Sequence, residues 1–366
     1  AARAFHDQVA QPNMSLVLIF CSSQYDLDAL AAELNHLFAG VPIVGCTTAG
    51  EIGREGYHNH SISGLSLPEE SFTVVNALLG PLQSIQVGET RHRAQELERE
   101  LEEKKPANGE GAPFAFLMID GLSQREETVI GALHSSLGDT PLVGGSAGDN
   151  LKFKRTFVFL EGGFKSDHAV VILAHSICPF RVCKTQHFIA TDQRLVITGA
   201  DPARRRVTEI NGLPAAKEYA RLTGVDVDGL SPDRFAKSPV VVLVNGREYV
   251  RSIQKVNDDA SLTFYCAIDE GLVIRVARGV DLIENLETEL ERIAHELGEP
   301  QAIVACDCVL RKLELHQRQL MGRAGELAQS YNVVGFNSYG EQVEGVHVNQ
   351  TFTALAIGRP GSEEGL

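Results

Sequence analysis

One pattern is written three times along these 366 residues, and it limits the fold more than any other feature. In the first copy a strand-like run, Leu16 to Phe20, leads to Asp26 and then to Leu27, Leu30, Leu34, Leu37 and Phe38 at helical spacing, with Gly40 as the stop. A second strand follows at once as Val-Pro-Ile-Val-Gly45 and runs into Cys46, Thr47, Thr48, Ala49, Gly50 and Glu51. From Pro113 the design returns: an apolar strand to Ile119, Ser123 and Glu126 spaced as a capping box, helix positions Val129, Ile130, Leu133 and Leu137, and Gly138 as the stop. Thr-Pro-Leu-Val-Gly144 then passes into Gly145, Ser146, Ala147, Gly148 and Asp149, one residue shorter than the first copy. The third copy has the strand Ala302 to Cys306, a helix face of Leu320, Met321, Ala324, Leu327 and Tyr331, and Asn-Val-Val-Gly335. Phe336, Asn337, Ser338, Tyr339, Gly340 and Glu341 close it with the same Gly-Glu as the first copy. Strand, helix and strand with short connections make a βαβ-like unit, which puts each glycine turn at the carboxyl end of its second strand, where such sheets bind ligands.

The glycines of these turns have two explanations. A tight turn needs a residue free to take positive φ. Alternatively, missing side chains let backbone N–H groups approach a ligand, with Thr47, Thr48, Ser146, Asn337 and Ser338 adding hydrogen-bonding groups. On the second reading Gly45, Thr47, Thr48, Gly144, Ser146, Gly335 and Asn337 are ligand-binding residues. No copy is a phosphate-binding loop, because no Gly-Lys-Ser/Thr follows, and Gly-Gly-Ser-Ala-Gly is not the dinucleotide fingerprint.

The chain is long enough for two domains. Thr198 to Ala216, rich in turn residues and charge, reads as the boundary, which gives domains 1–205 and 206–360 and a tail 361–366. Between the copies, Ser61 to Leu67 and Phe72 to Leu78 alternate like paired strands, and Phe157 to Val182 gives at least three more, with Gly162-Gly163 as a hairpin turn. Helices are predicted over Thr90 to Lys105 and Leu282 to Leu297; the first is almost all charge and reads as a solvated face or linker. A net charge of -15 argues against a nucleic-acid partner, and the one basic cluster, Arg204 to Arg206, reads as a solvated turn. The longest apolar runs, such as Ala169 to Ala174 and Val240 to Val244, are strand length and far below the roughly 20 residues of a membrane helix, so no membrane partner is expected. No basic-then-apolar leader opens the chain, which points to the cytoplasm, although a sequence that begins with Ala does not fix the natural start. Seven cysteines scattered through apolar stretches read as reduced, buried thiols.

Three stretches carry a family resemblance: Gly-Cys-Thr-Thr-Ala-Gly-Glu from Gly45, Val-Thr-Glu-Ile-Asn-Gly-Leu-Pro-Ala from Val207, and His347-Val-Asn-Gln-Thr-Phe-Thr. With them the chain resembles the FIST sensory family over nearly its whole length. The resemblance implies an α/β protein of two FIST-type domains with repeated strand-helix-strand units and mixed β-sheets, serving as an input module for signalling. Phe180 to Val196, with Lys-Thr-Gln-His187-Phe-Ile-Ala-Thr-Asp, is similar to the haem-containing nitric oxide sensing (NosP) branch. That likeness implies a nitric oxide sensor with non-covalent haem b, signalling to a histidine kinase or a cyclic-di-GMP enzyme. Other family members imply a sensor of a small metabolite such as an amino acid, without haem. A homo-oligomer is compatible with the sequence, which leaves oligomeric state open.

Haem needs an apolar slot and an imidazole on iron, and the lack of Cys-x-x-Cys-His excludes covalent attachment. His187, with Gln186, Phe188 and Cys183 around it, is the candidate axial ligand; the competing reading is a core histidine satisfied by a backbone carbonyl. His347 belongs to the family-wide motif and suits a general ligand pocket or a structural role, and His58 and His60 read as surface residues. Cys306 and Cys308 share one face of a strand but have no second pair to complete a metal site. Cys46 is replaced by Gly145 and Phe336 in the other copies, which argues against a nucleophile. Without a nucleophile elbow, a metal-protease helix or a carboxylate pair, the chain reads as a binder and not an enzyme.

Overall fold

The computed structural model describes residues 1–106, 110–244 and 247–361. Unit 1 comprises α1 (Ala2–Val9), β1 (Met14–Ser22), α2 (Leu27–Leu37), β2 (Ile43–Thr48), the hairpin β3 (Glu51–Gly53) and β4 (Gly56–His58), and β5 (Ile62–Pro68). Strand β6 (Phe72–Leu79) leads into unit 2. That unit has α3 (Val87–Lys104), β7 (Ala112–Ile119), α4 (Glu126–Leu137), β8 (Leu142–Ser146), the hairpin β9 (Val158–Leu160) and β10 (Gly163–Lys165), and β11 (Ala169–Ser176). After β12 (Phe180–Thr185) comes an insertion of β13 (Phe188–Asp201), β14 (Arg206–Ile210), β15 (Leu213–Pro214), α5 (Ala215–Thr223), α6 (Pro232–Lys237), β16 (Val240–Val244), β17 (Arg247–Arg251), β18 (Ile253–Val256), β19 (Leu262–Phe264) and β20 (Val273–Gly279). Unit 3 has α7 (Leu282–Leu297), β21 (Ala302–Cys308), α8 (Val309–Gln317), α9 (Met321–Ser330), β22 (Val333–Ser338), the hairpin β23 (Glu341–Val343) and β24 (Val346–Val348), and β25 (Phe352–Ile357).

In every unit the two repeated strands are parallel (β1–β2, β7–β8, β21–β22), and the last strand returns antiparallel beside the first (β5 on β1, β11 on β7, β25 on β21). The hairpins do not stay at home. The hairpin of unit 1 pairs through β3 with β22 of unit 3, that of unit 3 pairs through β23 with β8 of unit 2, and that of unit 2 pairs through β9 with β2 of unit 1. This cyclic exchange ties three sheets around one core, built from Leu18 and Phe20, Phe116 and Met118, and Val304, Phe336 and Leu355. Phe20 and Phe336 stack there with centroids 4.7 Å apart, and burying each such side chain contributes about 2 kcal/mol. Helices cover the outer faces: α1 and α2 on the first sheet, α3 and α4 on the second, α7 and α9 on the third. Among the described residues no helix is long and apolar enough to cross a membrane.

Several local expectations are corrected by packing. The charged helix α3 is not a free linker, because Thr90, Ala94, Leu97 and Leu101 form one buried stripe among its charges. The strands β5 and β6 are adjacent in sequence yet do not pair, since β5 belongs to the first sheet and β6 to the second. Helix α4 starts at Glu126 after Arg125, and Ser123 Oγ accepts from the Arg125 N–H instead of capping N3. The expected hairpin is present but its turn is one residue earlier than Gly162-Gly163: Glu161 and Gly162 take φ of 53° and 77°, the left-handed pair that a two-residue hairpin demands, and Gly163 opens β10 opposite Leu160. Across the stretch Thr198 to Ala216, β13 pairs with β14 (Ile197↔Ile210), so residues 205 and 206 lie inside one sheet. Residues 188–279 form their own core around Leu195, Tyr219, Phe235 and Ile274, so the second packed domain is an insertion into the first.

Gly45, Gly144 and Gly335 stand opposite Ile19, Leu117 and Ala305 in the three parallel pairings. A Cβ on any of them would overlap the carbonyl oxygen of that opposite residue. Gly335→Ala is therefore expected to cost about 3 kcal/mol, because the obstacle is backbone. Gly131→Ala, in α4 with open space around it, is expected to add about 0.5–1 kcal/mol. Urea unfolding midpoints of the two variants check both signs.

Candidate functional site

The three glycine turns meet and hydrogen-bond one another. The Asn337 N–H donates to Gly50 O (2.7 Å) and the Ala49 N–H to Asn337 O (2.9 Å). Ser146 N–H donates to Gly340 O (2.8 Å), Tyr339 N–H to Ser146 O (3.1 Å), and Gly148 N–H to Thr47 O (2.9 Å). These amides join turn to turn, and the close backbone approach that Gly45, Gly144 and Gly335 permit is to a neighbouring strand. Thr47 Oγ1 accepts from the Phe157 N–H at 3.0 Å, and Thr48 Oγ1 donates to Glu51.

Glu51 and Glu341 lock the first and third turns in the same way. Glu51 receives Thr48 Oγ1 and both the N–H (3.0 Å) and Oγ (2.8 Å) of Ser61. Glu341 receives Ser338 Oγ (2.5 Å) and both the N–H (3.2 Å) and Oγ1 (2.7 Å) of Thr351. In each copy the acid lies 3 residues after the first hydroxyl and 10 before the second. Burial pushes the Glu341 carboxyl up to about 8 against the pull of those donors.

Above the platform lies a closed polar layer, where residues 342–350 meet the inserted domain. Gln342 Nε2 donates to Ser146 Oγ (2.9 Å) and faces His347 Nδ1 (3.1 Å). Arg251 Nη1 donates to His347 O (3.2 Å), the Ser252 N–H to Asn349 Oδ1 (3.3 Å), and Gln350 Nε2 to Ala236 O (3.2 Å). With Gln342 donating to Nδ1, the neutral ring carries its proton on Nε2, and burial lowers the His347 pKa and keeps it neutral. Gly340 has no Cβ because the imidazole is there: a Cβ would lie 2.8 Å from His347 Nε2.

Gln342 Oε1, His347 Nε2, Gln350 Oε1, Ser252 Oγ and Arg251 Nε have no partner, and Asn337 Oδ1 on the platform is also alone. Six of the ten unpaired buried side-chain atoms among the described residues thus fall on the platform and this layer. An apolar seam beside the layer, including Ala49, Ala236, Tyr265 and Tyr339, and one ion-pair cluster hold the two domains together. Arg205 Nη2 donates to Glu126 and Glu127 (both 2.5 Å), while the Ala267 N–H donates to Glu127 (2.5 Å). The basic cluster at 204–206 is therefore not simply a solvated turn, since Arg205 is buried against acids of α4.

His187 is fully buried and both ring nitrogens are engaged. Nε2 donates to Glu314 at 2.7 Å, and Arg311 Nη1 donates to Nδ1 at 3.1 Å. Arg311 Nε in turn donates to Asp307 (2.6 Å), which also accepts from Tyr57 (2.9 Å). Burial lowers the His187 pKa although Glu314 pulls it up, so the ring is neutral with no lone pair left for iron. The residues expected to wrap a haem are filled otherwise. Phe188 packs on Val241, Val250 and Ala277, and Cys183 lies among the helices of the third sheet with its thiol pushed up by burial. Gln186 Oε1 is unpaired. The enclosed apolar cavity between Leu18, Phe116 and Leu355 measures about 10 Å³, far too small for a porphyrin. Haem with His187 as axial ligand does not fit this arrangement, and no cluster of three or more His, Cys, Asp or Glu suited to a metal occurs among the described residues.

All seven cysteines are buried and free, as expected. Burial pushes the Cys46, Cys306 and Cys308 thiols well up, which removes a thiolate nucleophile. Sequence reasoning missed Arg311 and Glu314, because α8 interrupts the expected strand-to-helix step, and missed Arg251 and Ser252, which lie in the inserted domain. The only signal available for the first pair was the four-residue spacing of Asp307 with Arg311 and of Glu314 with Arg318.

These groups set a pH profile. Glu341 keeps its proton up to about pH 8 when folded but only to 4.5 when unfolded, so its contribution is whole below 4.5 and is lost as pH rises through about 8. His187 and His347 have lowered folded values, so their contribution is present above 6.5 and is lost as pH falls. Thermal melts are expected to show the Tm falling by about 3 °C from pH 6.5 to 8.5, and Glu341→Gln to flatten that limb alone.

No curated protein matches the chain. The FIST N domain family matches residues 15–213 and the FIST C domain family residues 215–344, together covering the three glycine turns and the inserted domain but not α1, β24 or β25. With more than half its length inside the first match, this chain belongs to the FIST family of sensory domain proteins.

Proposed function

We propose that the chain senses a small polar metabolite of the amino-acid class, held in the layer between the three-turn platform and the inserted domain. The observation that carries this reading is the concentration there of unpaired buried groups of both kinds. Gln342 Oε1 and Gln350 Oε1 accept, while His347 Nε2–H and Arg251 Nε–H donate, which suits a ligand carrying both an ammonium and a carboxylate. A native core rarely strands such groups, since each costs about 1–3 kcal/mol unless something pairs with it. Binding, not catalysis, is what the residues offer.

The layer is closed, with Gln342 and Ser252 fully buried. Entry therefore requires the inserted domain to lift from the platform on its two chain crossings, near 186–187 and 280–281. A ligand that binds one of the two positions better biases the pair, and the Arg205–Glu126 contact is what must break or hold. In this proposal the output passes to a partner protein, a histidine kinase or cyclic-di-GMP enzyme. Haem and nitric oxide sensing rest on the likeness of Phe180 to Val196 alone and draw no support from the geometry at His187.

Thermal shift with individual amino acids tests the proposal. A ligand at a hundredfold excess over Kd stabilises by about 2.7 kcal/mol. Gln342→Leu and His347→Phe are expected to weaken it at least about tenfold, or ~1.4 kcal/mol, with the fold intact by circular dichroism. Binding that survives both changes would move the site elsewhere. A Soret band on adding haemin that disappears in His187→Ala would return the haem reading; no such band is expected.

A further inference from the structure

Two of the three sheets carry a strand that the first lacks. β6 lies antiparallel on β11 (Val171↔Ala77) and β12 lies antiparallel on β25 (Val182↔Leu355). Each of these strands comes before the outer helix of its own unit, β6 before α3 and β12, with the insertion between, before α7. Each also fills two layers at once. Phe72 and Val74 of β6, and Phe180 and Val182 of β12, face the central core, while Val75 and Ala77 of β6 lie beneath α3. Helix α3 rests on both β6 and β11, and α7 on both β12 and β25. In the first sheet the order ends at β5, no described strand occupies its far edge, and α1 rests on β5.

Where that strand would lie there is a groove of about 1100 Å³. Leu65 and Leu67 of β5 and Val334 and Ile357 of the third sheet form its core side, and Ala4 and Phe5 of α1 its outer side. Leu65 and Val334, which belong to the central core, are only half-buried along this line. Helix α1 follows β5 with Phe5 over Gly64 and the Val9 carbonyl accepting from Ser66 Oγ (2.5 Å). Ala1 therefore points toward Ile62, the end of β5 at which an antiparallel neighbour finishes, and Ala1 itself lines the groove.

We propose that this groove seats an extended strand and that its occupant is the chain's own segment immediately preceding Ala1, lying antiparallel to β5 before it turns into α1. The repeated order of strand, outer helix, strand, helix, strand selects that segment, and residues 80–86, which link β6 to α3, show the connector such a turn uses. The strand supplies hydrogen bonds to the edge of β5, taking the place of Gln11 Nε2 on Ser66 O (3.2 Å), and apolar residues at alternate positions against Leu65, Val334 and Ile357. Its length is set by its counterparts, which have 6 and 8 residues.

The test compares the chain beginning at Ala1 with the chain extended by its naturally encoded upstream residues. Hydrogen–deuterium exchange is expected to slow at 62–68 by at least about tenfold in the extended chain, with a higher Tm. Proline at alternate upstream positions is expected to reverse both effects. Should the extended chain fail to fold, the upstream residues are added as a synthetic peptide to the chain beginning at Ala1, and protection of 62–68 is again expected. Unchanged exchange at 62–68 in both formats, or a gene with no strand-length segment upstream, overturns the proposal. Light scattering that shows a dimer of the Ala1 chain whose interface already protects 62–68 also overturns it, by assigning the edge to a second copy.

Discussion

Everything in this molecule depends on how backbone amides at the ends of three sheets find partners. A turn that leaves the carboxyl end of a strand carries N–H and C=O groups that burial makes expensive unless they are paired. Here the three turns answer one another, Asn337 with Ala49 and Gly50, Ser146 with Tyr339 and Gly340, Gly148 with Thr47, so that no turn is complete without the others. Glu51 and Glu341 extend the same solution into side chains by gathering hydroxyl and amide donors from the residues that follow. The outcome is a rigid platform on which the inserted domain rests.

That rigidity explains why polar groups of the closing segment stand out. Gln342, His347 and Gln350 belong to strands and turns fixed by hairpin exchange, and they cannot rotate far to satisfy themselves. The inserted domain is attached by the seam around Tyr265 and Tyr339, the ion pairs of Arg205 and the hydrogen bonds of Arg251, Ser252 and Ala236 to residues 347–350. Unsatisfied groups between the platform and the inserted domain are what the proposed ligand would pair with. The His187 network is the opposite case: Glu314, Arg311 and Asp307 satisfy the imidazole on both sides and hold the first residues of the insertion to α8.

Much of the local structure was legible in the residues. Leu27, Leu30, Leu34 and Leu37 spelled out α2, Leu282 to Leu297 spelled out α7 to the residue, and Gly162-Gly163 marked a hairpin to within one residue, because these signals depend only on near neighbours in sequence. The exchange of hairpins was not legible, since β3 meets β22 across nearly the whole chain and nothing local in Glu51 to Gly53 names its partner. The same limit hid the site. Thr47, Ser146 and Asn337 lie on turns that meet, and the backbone groups beside them pair from turn to turn, a partnership that no single copy of the pattern names. His187 looked available because its neighbours Phe188 and Ile189 are apolar, while the acid and the guanidinium that occupy its nitrogens come from a helix more than a hundred residues later.

The cyclic exchange also bears on biosynthesis. Strand β8 has no edge partner until β23 emerges from the ribosome almost two hundred residues later, and β2 must wait for β9. Growing chains thus expose unpaired edges and the apolar face meant for Phe336 throughout most of translation, the condition in which intermolecular pairing and aggregation compete with folding. None of the three units is a stand-alone module, and gene fragments that end before β25 are poor candidates for soluble expression, whatever domain limits the sequence suggests.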